Sequence, residues 1–382
     1  METDRTRKYA LIAANFIGFF HFLWNDIDML NEMGYEVYAM GDNEKQEEHT
    51  LKIMEEKSVT FIDAKIDSKS PFTQNNWDYY KKVSRLLKEH HFDLVHCHTP
   101  IVGILVRLAA RNYRKQGTKV IYTTHGLAYT HLSSRKEYFI YHSIESLASR
   151  FCDAIITINK EDFENAKKLH CKKVFYINGV GVDCSKYCNV TIDRNLYRKQ
   201  IGVAASDIMI LSVGELSNRK NHVVIIKAIG HMNDKNKYVY VIAGKGIGTA
   251  STESLLIQTA QQYDVRLVLL GFRDDIPQLI HCSDIGAIPS IREGLGLAGI
   301  QSLCAGVPLV GTGVQGIKDY IVDGVTGYLC NPFDHLAFMR NIEKLSDAYR
   351  RECMRQNCHE MAVKFDIAIS KHQMNIIYDK IL

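Results

Sequence analysis

"SIREGLGLAGIQSLCAGVPLVGTG", Ser290 to Gly313, sets a carboxylate, Glu293, directly before a glycine-rich turn and places Gln301 eight positions later. The turn follows the apolar run "DIGAIP", Asp284 to Pro289, and leads through a helical pattern near 297–305 into "PLVGT", Pro308 to Thr312. Two apolar strands with a helix between them pair in parallel, because the helix carries the chain back along the sheet. The stretch therefore predicts a βαβ unit, and strands this apolar predict a sheet covered on both faces.

The same alternation extends outward. Upstream stand "IMILSVGE" from Ile208, a helix near 222–231, "YVYVIAG" from Tyr238, a helix near 250–262 and "VRLVLLG" from Val265. An earlier series runs through "KYALIAA", a helix near 22–33, "YEVYAM", "SVTFID", a helix near 76–89, "DLVHC", a helix near 101–115, "KVIYTT", a helix near 136–149, "DAIITI", a helix near 161–169 and "KVFYIN". Two successive series predict an α/β chain of two Rossmann-like, doubly wound domains, 1–188 and 189–382. Ligands of such sheets bind beyond the carboxyl ends of the strands, which makes a cleft between two facing domains the expected site. The closing "MAVKFDIAISKHQMNIIYDKIL" has helical period and is expected to cap the second domain or cross back to the first.

A length of 382 residues suits two domains at roughly 150 residues each. With 46% hydrophobic and 24% charged residues the composition is globular, and a net charge of +4 gives no reason to expect nucleic acid. Ten cysteines include Cys97, Cys152, Cys282 and Cys304 in or beside apolar runs, with no CxxC pair and no cluster at metal spacing, which predicts reduced, buried thiols in the cytosol. Arg5, Arg7 and Lys8 before "YALIAANFIGFFHFLW" imitate a signal peptide, but Asn15 and His21 interrupt the run and amphipathic pattern continues at once. No segment reaches the roughly 18 to 20 apolar residues that a membrane span needs.

Several positions carry chemistry. Gly18 lies between the first strand and helix, where a bare backbone can approach a phosphate or sugar or simply make a tight turn. The full GxGxxG pattern is absent, which removes most support for a nicotinamide dehydrogenase. Asp26 and Asp28 form a DxD pair, but residues two apart on a helix diverge, so a solvated helix face is expected and not a metal site. His98 and His125 follow strands; His125, before Gly126, suits proton transfer or sugar orientation, and His98 suits either an acceptor-side role or a satisfied structural histidine. Arg219 and Lys220 stand before a helix, where two cations imply an anion such as a diphosphate, or a solvated basic loop. Gly294, Gly296 and Gly299 open a helix so that N–H groups around Leu295 to Leu297 can face that anion, with Glu293 in the loop and Gln301 on the helix.

With these residues in place the chain resembles the retaining sugar-nucleotide glycosyltransferases of family 4, which have the two-Rossmann GT-B fold. The likeness covers nearly the whole chain through "GYEV", "DLVHCHTP", "THG", "DAIITINKED", "VGEL..RKNH", "AGKG", "LLGFRDDI", "EGLGL" and "CAGVPLVGT", and looks closest to enzymes that build capsule or exopolysaccharide units on a lipid carrier. The resemblance implies a UDP-sugar donor giving up a hexose or N-acetylhexosamine to a lipid-diphosphate-linked saccharide, with net retention and without a metal or other cofactor. It implies that Lys220 with a neighbouring arginine holds the diphosphate, that the turn Gly294, Leu295, Gly296, Leu297 supplies phosphate donors, and that Glu293 binds the transferred sugar beside His125. Phe272 and Arg273 would border the nucleobase, and the Gln301 position would take the ribose. Two positions depart from the family pattern. Glu215 stands where the family has arginine, leaving Arg219 as the substitute, and Gln301 replaces a glutamate. A neutral oxygen there should cost only about 1 kcal/mol.

Between Lys81 and Lys119 lie nine basic residues, and Arg107, Arg111 and Lys115 fall on one helical stripe, which predicts either contact with anionic lipid headgroups or a solvated face. With "LAYTHLSSRKEYFIYH" this face is expected to dock a cytoplasmic protein on the inner face of the membrane. Two rivals follow from the same residues: a GT-B sugar-nucleotide epimerase, and a non-catalytic sugar-nucleotide-binding partner suggested by Glu215 and Gln301.

Overall fold

Ala10 to Ala13 and Ile210 to Leu211 are buried to within 2% of completeness, because each lies on a strand with neighbours on both sides and helices on both faces. The computed structural model describes residues 7–44, 47–68, 70–246 and 251–382; Arg5 lies outside them. The chain divides into two compact units, one running to Val180 and including Ser370–Leu382, the other Gly181–Ile369. The division falls at 180/181 where the sequence suggested 188/189.

The first unit holds β1 (Lys8–Phe16), β2 (Tyr35–Asp42), β3 (Thr60–Asp63), β4 (Leu94–His98), β5 (Lys119–Thr124), β6 (Ala154–Thr157) and β7 (Val174–Tyr176), all parallel, in the order β3-β2-β1-β4-β5-β6-β7. The second holds β8 (Ile208–Val213), β9 (Tyr238–Ala243), β10 (Arg266–Gly271), β11 (Ile285–Ile288), β12 (Leu309–Thr312) and β13 (Gly327–Cys330), also parallel, in the order β10-β9-β8-β11-β12-β13. Each is a doubly wound sheet. Its order reverses between β1 and β4 in one unit and between β8 and β11 in the other, and at such switch points the loops leaving the strands diverge and leave room for a ligand.

The signal-like run folds as the core strand β1, the 3-10 turn Ile17–Phe22 and the start of helix Trp24–Glu32. Among the described residues no helix is long and apolar enough to cross a membrane. The last helix, Ile367–Ile381, belongs from Ser370 onward to the first unit, where the Tyr378 hydroxyl meets His96 Nδ1 at 2.9 Å.

Three expectations change. Arg107 is not on a lipid-facing stripe: it is fully buried in helix Pro100–Ala110, paired with Glu145 at 2.8 Å, and stacked 4.0 Å from the Tyr122 ring. The expected stripe also breaks, because the helix ends at Ala110 and Lys115 lies in the 3-10 turn Tyr113–Gln116, while helix Arg135–Ala148 supplies the carboxylate that draws Arg107 inward. Cys304 is not a free thiol, being joined to Cys184 with Cα atoms 5.2 Å apart, whereas Cys97, Cys152 and Cys282 are buried and free. Asp26 does not lie on a solvated face, as the site geometry below shows; Asp28 does reach the surface, where Lys57 holds it at 2.6 Å.

Candidate functional site

In the second unit the loops leaving β8 and β11 converge. Gly214 follows β8 with φ +148, and a Cβ on Gly244, which follows β9, would lie 1.8 Å from the Gly214 carbonyl oxygen, so both positions must be bare for the loops to approach. From the β8 loop come Glu215, Arg219 and Lys220; from the β11 loop come Ser290 and Glu293. Lys220 Nζ lies 2.6 Å and Arg219 Nη1 3.2 Å from Glu293 Oε2, and the Ser290 hydroxyl donates to the same oxygen at 3.2 Å. Arg219 Nη2 also meets Glu215 Oε1 at 3.0 Å, and the Arg219 carbonyl accepts from Ile291 N–H at 2.8 Å, tying the two loops together. Arg219 thus reaches the Glu293 carboxylate, although Glu215 occupies the position immediately after the strand glycine.

The Glu293 side chain is only 13% exposed. Burial by itself would raise its pKa, but the charges of Lys220 and Arg219 outweigh it and hold the carboxyl below its ordinary value. Glu293 is therefore ionised at neutral pH and bound to two cations. Its backbone N–H is fixed by the Gln315 side-chain oxygen at 3.2 Å.

Three residues further, Gly296 at φ +77 turns the chain into helix Leu297–Cys304. A Cβ on Gly299 would lie 2.4 Å from the Tyr320 hydroxyl oxygen, and Tyr320 itself donates to the Gly296 carbonyl at 3.2 Å, which fixes the turn. Gly294, Leu295, Gly296 and Leu297 accordingly form a rigid helix opening next to Glu293. Gln301 lies one turn along the helix, half-buried, with its side chain bonded to Tyr187. Phe272, 67% exposed, follows β10 on the same carboxyl edge of the sheet, and Arg273 is clamped by Asp275 at 2.8 Å.

In the first unit the carboxyl ends of β4 and β5 bring together groups that the sequence reading kept apart. His98 is fully buried and its Nδ1 lies 3.1 Å from His125 Nε2, while Phe19 packs edge-on against the His125 ring at 4.8 Å. Asp26, His96 and His98 have ligand-type atoms within 4.8 Å of one another. Alternation along β4 puts His96 and His98 on one face, a signal legible in "HCH", whereas nothing in the sequence around Asp26 marks it as their neighbour. His96 is fully tied, Nδ1 to Tyr378 and Nε2 to the Thr123 hydroxyl at 2.7 Å. Burial pushes the His96 pKa down to about 3 and that of His125 to about 4, and pushes Asp26 up to about 7. For Gly18 the expectation also shifts: it sits inside the 3-10 turn, and a Cβ there would lie 2.8 Å from the Glu47 carboxylate oxygens, a poor neighbour for a phosphate. A cavity of about 620 Å3 beside helix Ser251–Tyr263 and β10 contains none of the candidate residues.

Comparison with known proteins places the whole chain among glycosyltransferases. The family described as Glycosyltransferase Family 4 matches residues 23–185, and that described as Glycosyl transferases group 1 matches residues 193–364. The EpsD protein of Bacillus subtilis, named as a glycosyltransferase, is 31% identical over 91% of this chain and 90% of its own length. An Escherichia coli enzyme named UDP-Gal:alpha-D-GlcNAc-diphosphoundecaprenol alpha-1,3-galactosyltransferase is 28% identical over 73% of each chain. Among solved structures, Anabaena HepE in complex with UDP and glucose superposes with a TM-score of 0.79 at 18% identity, covering 98% of this chain and 100% of that one, which shows a shared GT-B fold.

Proposed function

Because this chain belongs to glycosyltransferase family 4, we propose that it moves a hexose or N-acetylhexosamine from a UDP-sugar to a lipid-diphosphate-linked saccharide during capsule or exopolysaccharide assembly, with retention and without a metal. The observation carrying the reading is the contact of Lys220 and Arg219 with Glu293 beside the helix opening at Gly296. Cleaving a sugar–diphosphate bond builds negative charge on the leaving nucleotide. Two cations fixed by Glu293 and the N–H groups of Leu295 to Leu297 at the helix opening would be the donors such charge requires. On this reading the diphosphate takes over Lys220 and Arg219, and the released Glu293 carboxylate accepts hydrogen bonds from the sugar. Gln301 accepts from the ribose, Phe272 and Arg273 border the uracil, and His125 contacts the sugar with His98 on the acceptor side. The named acceptor of the Escherichia coli relative supports a lipid diphosphate.

The test is UDP release by the pure protein from a panel of UDP-sugars, with and without an undecaprenyl-diphosphate-linked saccharide. Acceptor-dependent release supports transfer, turnover of donor alone supports an epimerase, and tight UDP binding without turnover supports a non-catalytic partner.

Membrane contact belongs to the same proposal but shifts in place. With Arg107 buried, the exposed face of helix Arg135–Ala148 carries it: Phe139 is 72% and Leu147 58% exposed, and Arg135 and Lys136 begin the helix. Apolar side chains beside cations suit the boundary of an anionic bilayer on the cytoplasmic side. Co-sedimentation with vesicles containing anionic lipid should fall when Phe139 and Leu147 are replaced by serine; equal binding to neutral vesicles would remove the electrostatic part.

A further inference from the structure

We propose that Asp26 and His98 form a polar chain behind His125 whose direction decides whether His125 Nδ1 donates or accepts a hydrogen bond, making Asp26 and His98 positioning residues for the transfer step. The inference rests on the proposed glycosyl transfer and names how its first unit is regulated. It starts from an imbalance. His96 and His98 are equally buried, but both ring nitrogens of His96 have hydroxyl partners, whereas His98 Nε2 has no partner among the described residues. A buried, unpaired ring nitrogen costs stability and calls for an explanation. The residue following it, Thr99, has φ +64 and a buried hydroxyl that is also unpaired, so the end of β4 holds strain as well.

The Asp26 carboxylate supplies the missing partner. Its oxygen lies within 4.8 Å of a His98 nitrogen, a span that one water bridges, and Asp26, His98, Thr123 and His125 line a cavity of about 20 Å3, enough for one water. His96 has no ring nitrogen to spare, so this group is better read as a chain than as a metal site.

Neutral imidazole has one donor and one acceptor nitrogen, so the chain has two directions. With Asp26 protonated, its O–H donates to the bridging water and the water donates to His98 Nε2, His98 Nδ1–H donates to His125 Nε2, and His125 Nδ1–H donates outward. Loss of one proton reverses every link: the Asp26 proton passes to the water and a water proton passes to His98 Nε2, the His98 Nδ1 proton passes to His125 Nε2, and the His125 Nδ1 proton leaves. His125 Nδ1 then accepts, the state suited to an acceptor hydroxyl. Burial supports the assignment, placing Asp26 at about 7 while keeping His96, His98 and His125 neutral. The other titratable groups near Asp26 are Tyr378 and Lys371 of helix Ile367–Ile381, and Lys371 pairs with Glu32 at 3.6 Å.

Nitrogen-15 NMR of histidine-labelled full-length protein between pH 5.5 and 8.5 tests the chain directly. His98 and His125 should exchange tautomers together in the native protein, and Asp26→Asn should hold one tautomer at all pH values. Native tautomers that do not change, or that change equally in Asp26→Asn, overturn the inference. In the transfer assay, native kcat should fall about tenfold per pH unit on the acid side of an inflection near neutrality. Asp26→Asn should lose that limb with donor KM unchanged; an unchanged limb in the variant overturns the inference too. Should the native protein transfer no sugar, the functional reading fails, while the tautomer measurement still judges the chain.

Discussion

Replacing Glu293 separates binding from transfer in a direction that the structure specifies. The Glu293 carboxylate holds Lys220 at 2.6 Å and Arg219 at 3.2 Å, and it would compete with a diphosphate for both cations. Glu293→Gln keeps the volume and can still accept from Ser290 and Lys220, but withdraws the charge. Each charge-assisted bond is worth about 1.5–3 kcal/mol against about 1 kcal/mol for a neutral one. Relieving the competition should leave UDP binding at least as tight as in the native protein, and tighter by up to about tenfold. Transfer should move the other way: losing one charge-assisted bond to the sugar in the transition state costs about 1–2 kcal/mol, or roughly 5- to 30-fold in kcat/KM, and Glu293→Ala should cost more. Calorimetry with UDP and a UDP-release assay read the two quantities separately. The reasoning is refuted if Glu293→Gln weakens UDP binding tenfold and transfer by the same factor, since Glu293 would then be holding the loop and not the sugar.

Gln301→Glu should remain active within about tenfold, because the position needs an acceptor oxygen and not a charge; an inactive variant sinks that account. Removing Glu145 should cost about 3–5 kcal/mol in urea denaturation by leaving Arg107 buried and unpaired, while Arg107→Met with Glu145→Leu should recover most of it; equal losses in single and double variants would deny the pairing. For Asp26 the folded pKa is raised from 3.8 to about 7, so the folded state binds the proton more tightly and stability falls as pH rises between those values. The ceiling is roughly 4 kcal/mol, and about half of that is expected since the side chain is not sealed from solvent. Asp26→Asn should therefore gain stability on the native protein from pH 5 to pH 8 in urea melts; a constant difference contradicts the burial of Asp26.

Much of the architecture was legible because buried parallel strands are written as uninterrupted apolar runs, such as Ala10 to Ala13 and Tyr238 to Ala243. Short elements escaped. The four residues of β13 and the six of helix Ile276–His281 are too few for either period to stand out. Arg219, Lys220 and Glu293, which the structure brings into contact, were legible as candidates because charge placed beside a glycine turn has a local meaning. Arg107 and Asp26 were misplaced because their environment is set by residues 38 and about 70 positions away, Glu145 and His96 to His98, which helical or strand period does not report. Asp26 and Asp28 show the limit clearly: their side chains do diverge, Asp28 to Lys57 and Asp26 to His96 and His98, so one of the two directions points into the protein.

The two departures from the family pattern at Glu215 and Gln301 make sense together as a question of charge. The resemblance puts arginine at the first position and glutamate at the second, a pair that sums to zero. Glutamate and glutamine sum to one negative charge, which would weaken a diphosphate site if nothing replaced the lost cation. Under the proposed function Arg219 replaces it, four residues on, and the 3.0 Å contact from Glu215 to Arg219 leaves the opposite edge of the guanidinium on Glu293. Glu215 is then the residue that steers the displaced cation and not a surviving defect. Glu215→Ala should free Arg219 and weaken UDP binding although it removes an anion from beside the phosphates. Simple electrostatics predicts the reverse, so the sign of that one affinity change decides between steering and repulsion.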